Sequence, residues 1–170
     1  YSVNRLRLML VRALLDAGIP VNLMHPSSMT VGDKMQHMSY FLSPLRGFLE
    51  MGMVILIGGD MIYDKSMGFS VCSADTLSVT LVTELGAERL LFAVDVDGVF
   101  TADPSISDDA ELLEEVDIMR LDEVLQPQTE TVSDASGRMR GKLQSLAGLG
   151  HLLGHGLECH IFSMLVEGRL

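Results

Sequence analysis

Basic residues are scarce in this chain: 12 lysines and arginines stand against 23 aspartates and glutamates in 170 residues, a formal net charge of −11. Nucleic acid and anionic membrane surfaces both need a basic face, so neither is an expected partner. An anionic substrate must therefore be met by local cations, backbone N–H groups or a metal. Cysteine is nearly absent as well. Cys72 and Cys159 lie far apart in apolar, strand-like surroundings without a CxxC, a pattern that suits reduced, buried thiols of a cytoplasmic protein rather than a disulfide framework. No apolar run reaches the roughly 18 residues of a membrane span, and the N-terminus carries no signal-peptide pattern, so the cytoplasm is the expected location. Repeats, low-complexity tracts and convincing linkers are missing too. So is an initiator methionine: the chain opens in the middle of a helical pattern and is expected to be a fragment of a longer protein, one domain over residues 1–170, truncated at both ends.

What is present is 48% apolar residues in an alternation of long and short elements. Leu6, Leu10 and Leu14 recur at helical spacing between Val3 and Ala17, and Gly18 ends the helix before a short apolar run, Ile19 to Met24. Ser43 followed by Pro44 predicts an N-cap and a first helical position, then a short helix over Leu45 to Glu50. Met53 to Ile57 is the next strand, ending in Gly58-Gly59-Asp60, and Met61 to Val71 alternates around Asp64-Lys65 as a hairpin does. Ser73 or Asp75 caps a helix carrying Leu77, Leu81 and Leu85, which stops near Gly86. Leu90 to Val96 forms a strand; a short helix near Leu121 to Leu125, a polar loop Gln126 to Ser136, a helix from about Met139 to Leu153 and a strand Cys159 to Met164 follow. Helices alternating with continuous apolar strands predict an α/β fold whose sheet is mostly parallel and covered on both faces.

Chemistry collects where these strands end. Leu90 to Pro104, LLFAVDVDGVFTADP, runs an apolar strand into Asp95, Asp97 and Gly98, and ligands of open α/β sheets bind beyond the carboxyl ends of strands. Solvated acids at a plain strand exit are the alternative. At Gly58-Gly59-Asp60 the missing side chains let a bound group approach the backbone, though a tight turn uses the same residues. Ser73-Ala74-Asp75 opens a helix, whose N-terminus offers free N–H groups to an anion or serves as a simple cap. Asp134 to Lys142, DASGRMRGK, reads as a small-residue loop bringing Arg138, Arg140 and Lys142 into a helix start, a placement that opposes the helix dipole and matches phosphate recognition. His151 and His155 are four apart but lack a third ligand or an HExxH glutamate, so no metal site is assigned; His25 follows a strand end, before Pro26-Ser27-Ser28. Met24, Met29, Met35 and Met38 form a group read either as adaptable core or as a flexible apolar pocket wall.

Taken together, GGDMIYDKSMGFSVCSAD, LLFAVDVDGVFTADP and DASGRMRGKL resemble the amino acid kinase superfamily in order and spacing, and within it the isopentenyl phosphate kinases most. The resemblance implies a three-layer αβα sandwich with a mostly parallel central sheet, and ATP-dependent phosphoryl transfer onto a phosphate monoester, giving a diphosphate such as isopentenyl diphosphate. It further implies that Asp75 orients catalytic lysines, that Lys142 with the Gly137 and Gly141 backbone holds ATP phosphates, and that Asp95, Asp97 and Gly98 border the nucleotide. Gly59, Asp60 and Ser73 would lie near the acceptor, and Mg2+ would ride on the phosphates. Similar kinases are commonly dimers, so a homodimer is an expected partner state alongside a small phosphate substrate. The chain departs from the family at Arg138, where Gly-Gly-Met is usual, and at Ala74 and Thr76. It also lacks the N-terminal Gly-Gly phosphate loop and the Gly-rich histidine segment, so the 170-residue piece is expected to have little kinase activity alone. Two rivals remain open: a superfamily kinase for acetylglutamate or a nucleoside monophosphate, and a non-catalytic nucleotide-binding module.

Overall fold

The computed structural model describes residues 2–102, 104, 107–120 and 135–166. It divides into two compact units, Tyr1–Leu77 and Ser78–Leu170. The short helix expected near Leu121 and the expected polar loop Gln126 to Ser136, as far as Asp134, lie outside the described residues, as do the side chains of Arg138 and Arg140; Ala135 and Ser136 are helical.

Unit 1 begins with α1, Ser2–Asp16. Gly18 closes it at φ +76, its N–H donating to the Leu15 carbonyl, so the predicted stop holds. The buried face differs from the one expected. Leu6 and Leu10 are exposed, whereas the inward stripe runs through Arg7, Val11 and Leu14, and Arg7 is only 6% exposed. Charge does not decide this: the guanidinium is drawn in because it finds acceptors there. Strand β1, Val21–Leu23, pairs in parallel with β4, Val54–Leu56, reached through α2, Ser43–Glu50. Ser43 is not the cap of that helix. Leu42 occupies the N-cap position without a side-chain cap bond, and Pro44 starts the helix through its fixed φ.

Between these strands lies a hairpin the hydrophobic pattern did not show: β2, Thr30–Asp33, antiparallel to β3, Gln36–Tyr40. β2 also pairs in parallel with β5, Asp60–Asp64, which turns back into β6, Gly68–Cys72, as the alternation around Asp64-Lys65 predicted. The largest sheet among the described residues is thus mixed, in the order β3-β2-β5-β6. The β5–β6 hairpin buries Ile62, Asp64, Ser70 and Cys72 on one face and exposes Met61, Tyr63, Phe69 and Val71 on the other. Asp64 joins the two hairpin turns. Its carboxylate accepts the N–H groups of Lys34, Met35, Ser66 and Met67 at 2.9–3.1 Å. Burial pushes this carboxyl up, but the Met35, Met67 and Lys34 N–H groups win and pull it down to about 2.

Helix α3, Ala74–Leu85, leads to β7, Arg89–Val94. β7 pairs in parallel over six residues with β10, Glu158–Ser163, a strand that follows α4, Ala135–Ala147, and the one-turn α5, Gly150–Leu153. A short antiparallel pair, β8, Val99–Phe100, with β9, Leu112–Leu113, follows β7. The core of unit 2 is built where Leu90 and Phe92 of β7 meet Leu143, Leu146 and Leu149, with Val82, Val99 and Leu157 around them. Along β7 the side chains alternate, Leu90 and Phe92 inward and Leu91 outward at 47% exposure.

Candidate functional site

In unit 1 the candidate residues gather at the carboxyl ends of β1 and β4. The chain leaves β1 through His25 into a 3-10 turn, Pro26–Ser28, and leaves β4 through Gly58, Gly59 and Asp60. Asp60 fastens the two exits together: Oδ2 accepts from the Ser27 hydroxyl at 2.7 Å and the Ser27 N–H at 3.2 Å, and Oδ1 accepts from the Met61 N–H at 3.0 Å. Burial raises the Asp60 carboxyl, but the Ser27 donors, the Met61 N–H and the Arg7 charge outweigh it and hold the group below its ordinary range. Asp60 is therefore an anchored anion. Burial, helped by that negative charge, pushes the Cys72 thiol up to about 11, which leaves it unreactive.

Gly59 is required by a close approach. A Cβ there would lie 3.1 Å from the Cys72 carbonyl oxygen and 3.4 Å from the Ala74 nitrogen, so the β4 exit packs directly on the start of α3. Ser73 caps that helix, its Oγ accepting the Thr76 N–H at 3.1 Å. Asp75 sits half-buried in the first turn, where a carboxylate complements the helix dipole. The structure thus brings Gly59 and Ser73 together, with Asp60 beside them.

His25, noted in the sequence for its place after a strand end, and Arg7, which sequence reasoning passed over, complete this cluster. Arg7 donates from Nη1 to Asn4 Oδ1 at 2.9 Å and to His25 Nδ1 at 3.0 Å, and from Nη2 to the Gly59 carbonyl at 2.6 Å. His25 Nδ1 stands 3.9 Å from Asp60 Oδ2, beyond hydrogen-bonding range. The signal in the sequence was faint: Arg7 shares a helical stripe with Val11 and Leu14, a position that ordinarily carries an apolar side chain.

In unit 2, β7 delivers Asp95 and Asp97 to an exposed exit. Gly98 is buried at φ +149, and a Cβ there would stand 3.1 Å from Leu112 Cδ1, so glycine is needed for the turn into β8. Lys142 lies half-buried on α4 with Nζ 4.3 Å from the centroid of the Phe92 ring, a cation–π contact that holds an amine near the strand leading to Asp95. The DASGRMRGK segment differs from the expected loop, because α4 begins at Ala135. Gly137 therefore falls in the first turn, where amides lack helical partners, while Gly141 lies inside the ladder. Its glycines weigh against helix in the interior but cost little at an N-terminus, which explains the misplaced boundary. Asp134 and the Arg138 and Arg140 side chains lie outside the described residues.

The methionines do not form one wall: Met29 is 6% exposed and Met35 66%. His155 Nδ1 hydrogen-bonds with the His151 carbonyl at 2.6 Å, a contact that belongs to the end of α5. Among the described residues no group of three His, Cys, Asp or Glu could hold a metal ion, and no helix is long and apolar enough to cross a membrane.

Residues 2–163 match the model of the amino acid kinase family, and the chain belongs to that family. It is 33% identical to an isopentenyl phosphate kinase of Methanothermobacter thermautotrophicus over 99% of this chain and 62% of that protein, and 35% identical to the Arabidopsis thaliana isopentenyl phosphate kinase over 68% of this chain and 35% of the other. A uridylate kinase of Mycolicibacterium vanbaalenii is 44% identical over a shorter stretch, 41% of this chain and 26% of its own. Among solved structures, an isopentenyl phosphate kinase superposes with a TM-score of 0.77 at 31% identity, covering 98% of this chain and 59% of that one. The aspartate kinase from Synechocystis, at 18% identity, shares the fold with a TM-score of 0.64 over 95% of this chain and 26% of its own. The α/β fold of the amino acid kinases, expected from the motifs, is the fold found. The chain spans about three-fifths of the length of the isopentenyl phosphate kinases it matches over nearly its whole extent.

Proposed function

We propose that this chain forms the core of an ATP-dependent kinase whose acceptor is a phosphate monoester, isopentenyl phosphate first among them, the product being a diphosphate. The observation that carries the reading is the 33% identity to an isopentenyl phosphate kinase across 99% of the chain. The residues of unit 2 fit a nucleotide polyphosphate in their donor chemistry: Lys142 supplies a cation, the first turn of α4 with Gly137 supplies amides without intrahelical partners, and Asp95, Asp97 and Gly98 border the strand exit where a nucleotide is held in such folds. Gly141 lets the backbone of α4 be approached closely, with nothing within 4 Å of the place a Cβ would take. When bound, ATP supplies the phosphoryl group, with Mg2+ carried on its phosphates. On the acceptor side, Gly59, Asp60 and Ser73 shape the strand-end loop, and Asp75 orients lysines. Charge neutralisation and positioning are the whole of the protein's task in such transfers.

The second reading is a nucleoside monophosphate kinase, favoured by the 44% identity of a 72-residue stretch to a uridylate kinase. The test is a substrate panel on the protein encoded by the full gene: ATP with isopentenyl phosphate, UMP and acetylglutamate, following ADP release and the diphosphate product. Isopentenyl diphosphate formed with the highest kcat/KM supports the first reading. UDP as the preferred product overturns it, and the absence of any turnover with intact ATP binding leaves a nucleotide-binding module.

A further inference from the structure

Arg7 presents a problem that unit 1 does not solve internally. It is 6% exposed in the middle of an otherwise exposed helix, and its Nε has no acceptor. Among the described residues no carboxylate reaches salt-bridge distance of it. Asp60 acts on it only through space, its oxygens being taken by Ser27 and Met61. A buried guanidinium whose direct hydrogen bonds all go to neutral acceptors is costly, and Asp60 offsets its charge only from a distance. Gly58 leaves room beside it: the place of a Cβ at Gly58 lies 3.7 Å from Nη2 and 3.8 Å from Nε, with no other atom within 4 Å.

The hydrogen bonds around Arg7 also settle the state of His25. A guanidinium has donors and no acceptor, so His25 Nδ1 must accept and the ring proton must sit on Nε2. The His25 side chain is 40% exposed, and among the described residues nothing bonds its Nε2. A neutral N–H donor therefore stands open at the carboxyl ends of β1 and β4, next to a buried positive charge.

We propose that Arg7 is a positioning residue: it fixes His25 as the Nε2–H tautomer so that this N–H donates to an anionic oxygen of the phosphate acceptor. The inference rests on the kinase reading for the identity of that acceptor, but the anion site itself does not. Gly59 shares in the arrangement, since the Arg7 bond to its carbonyl sets the height of the glycine loop against the imidazole.

The test uses the chain labelled with 15N-histidine, its five histidines resolved by long-range 1H–15N NMR and His25 assigned through His25→Gln. The expected wild-type spectrum has Nε2 protonated and Nδ1 bare, and the His25 signals move on titration first with inorganic phosphate and then with isopentenyl phosphate. Arg7→Met should give a tautomer mixture and weaken phosphate binding about tenfold, the scale of one hydrogen bond to a charged group. His25→Phe should weaken it similarly, whereas His25→Gln, which keeps a neutral N–H donor, should retain it. Both His25 variants change a partly exposed ring, so they keep the test alive if Arg7→Met fails to fold. A wild-type ring protonated on Nδ1, or phosphate binding equal in wild type and His25→Phe, overturns the proposal. If the full-gene protein makes isopentenyl diphosphate with an unchanged KM in His25→Phe, the positioning role fails and the kinase reading stands. If phosphate binding follows the expected pattern but isopentenyl phosphate is never phosphorylated, the kinase reading fails and the positioning role stands.

Discussion

Gly58 and Gly59 are neighbours in sequence, and the same added methyl group has opposite consequences at each. At Gly59 the new carbon would stand 3.1 Å from the Cys72 carbonyl oxygen and 3.4 Å from the Ala74 nitrogen, both backbone atoms at the junction of β6 and α3. Neither neighbour is a flexible side chain that can swing away, so the loop itself must move by a few tenths of an ångström. That movement drags the Gly59 carbonyl off Arg7, 2.6 Å away, and shifts Asp60 against Ser27. Overpacking of this kind costs about 1–3 kcal/mol. At Gly58 the nearest atoms to the added carbon are Arg7 Nη2 and Nε at 3.7 and 3.8 Å, ordinary contact distances. There the loss of chain freedom in the unfolded state leaves Gly58→Ala neutral or more stable by about 0.4–1 kcal/mol. Urea unfolding followed by far-UV circular dichroism, with the m-value checked for constancy, measures both. Gly59→Ala should also loosen phosphate binding, and Gly58→Ala should loosen it without any loss of stability, since its methyl takes the space beside Arg7. A Gly59→Ala protein as stable as the parent would refute the close approach, and with it the account of why this loop carries glycine.

Acid titration of stability should show the contribution of Asp64. Its folded pKa of about 2 lies below the 3.8 of an unperturbed aspartate, so the stabilisation is complete above about pH 4 and disappears as pH falls towards 2. Asp64→Asn should flatten that stretch of the profile, and an unchanged slope would contradict the four-donor knot. Leu143→Ala removes a side chain that is 1% exposed in the unit 2 core and should cost about 2–5 kcal/mol in denaturant unfolding. Gln144→Ala, one residue along on the exposed face, should stay within about 0.5 kcal/mol of the parent. Lys142→Met keeps most of the aliphatic stem against Phe92 and loses a cation–π contact worth about 0.5–1 kcal/mol. Its stability should change by no more than that, while ATP affinity measured by calorimetry falls at least tenfold; equal ATP affinity would remove Lys142 from the nucleotide site.

The parts of the fold legible in the sequence are those fixed by local chemistry. α1 announces itself by its period and by Gly18, the β5–β6 hairpin by its alternation, and α3 by the serine that caps it. The β2–β3 hairpin was not legible because its turn lacks the usual marks. Lys34 and Met35 sit at φ +51 and +65, positions where Asn-Gly or Asp-Gly would be expected. What holds them is Asp64, about thirty residues further on, through their own N–H groups. No window of sequence long enough to show one turn contains the residue that stabilises it. The same distance hid half of the candidate site. Glycines and acids at strand ends pointed to Gly59 and Asp60, because the need for close approach and the place of strand exits are local facts. That Asp60 is held by Ser27, 33 residues away, and that Arg7 from a helix fixes the ring of His25, depend on parallel strands bringing their carboxyl ends together. A motif reading therefore finds the backbone of this site and misses its cation, since an arginine on the inward stripe of a helix looks, by period alone, like an error in an apolar face.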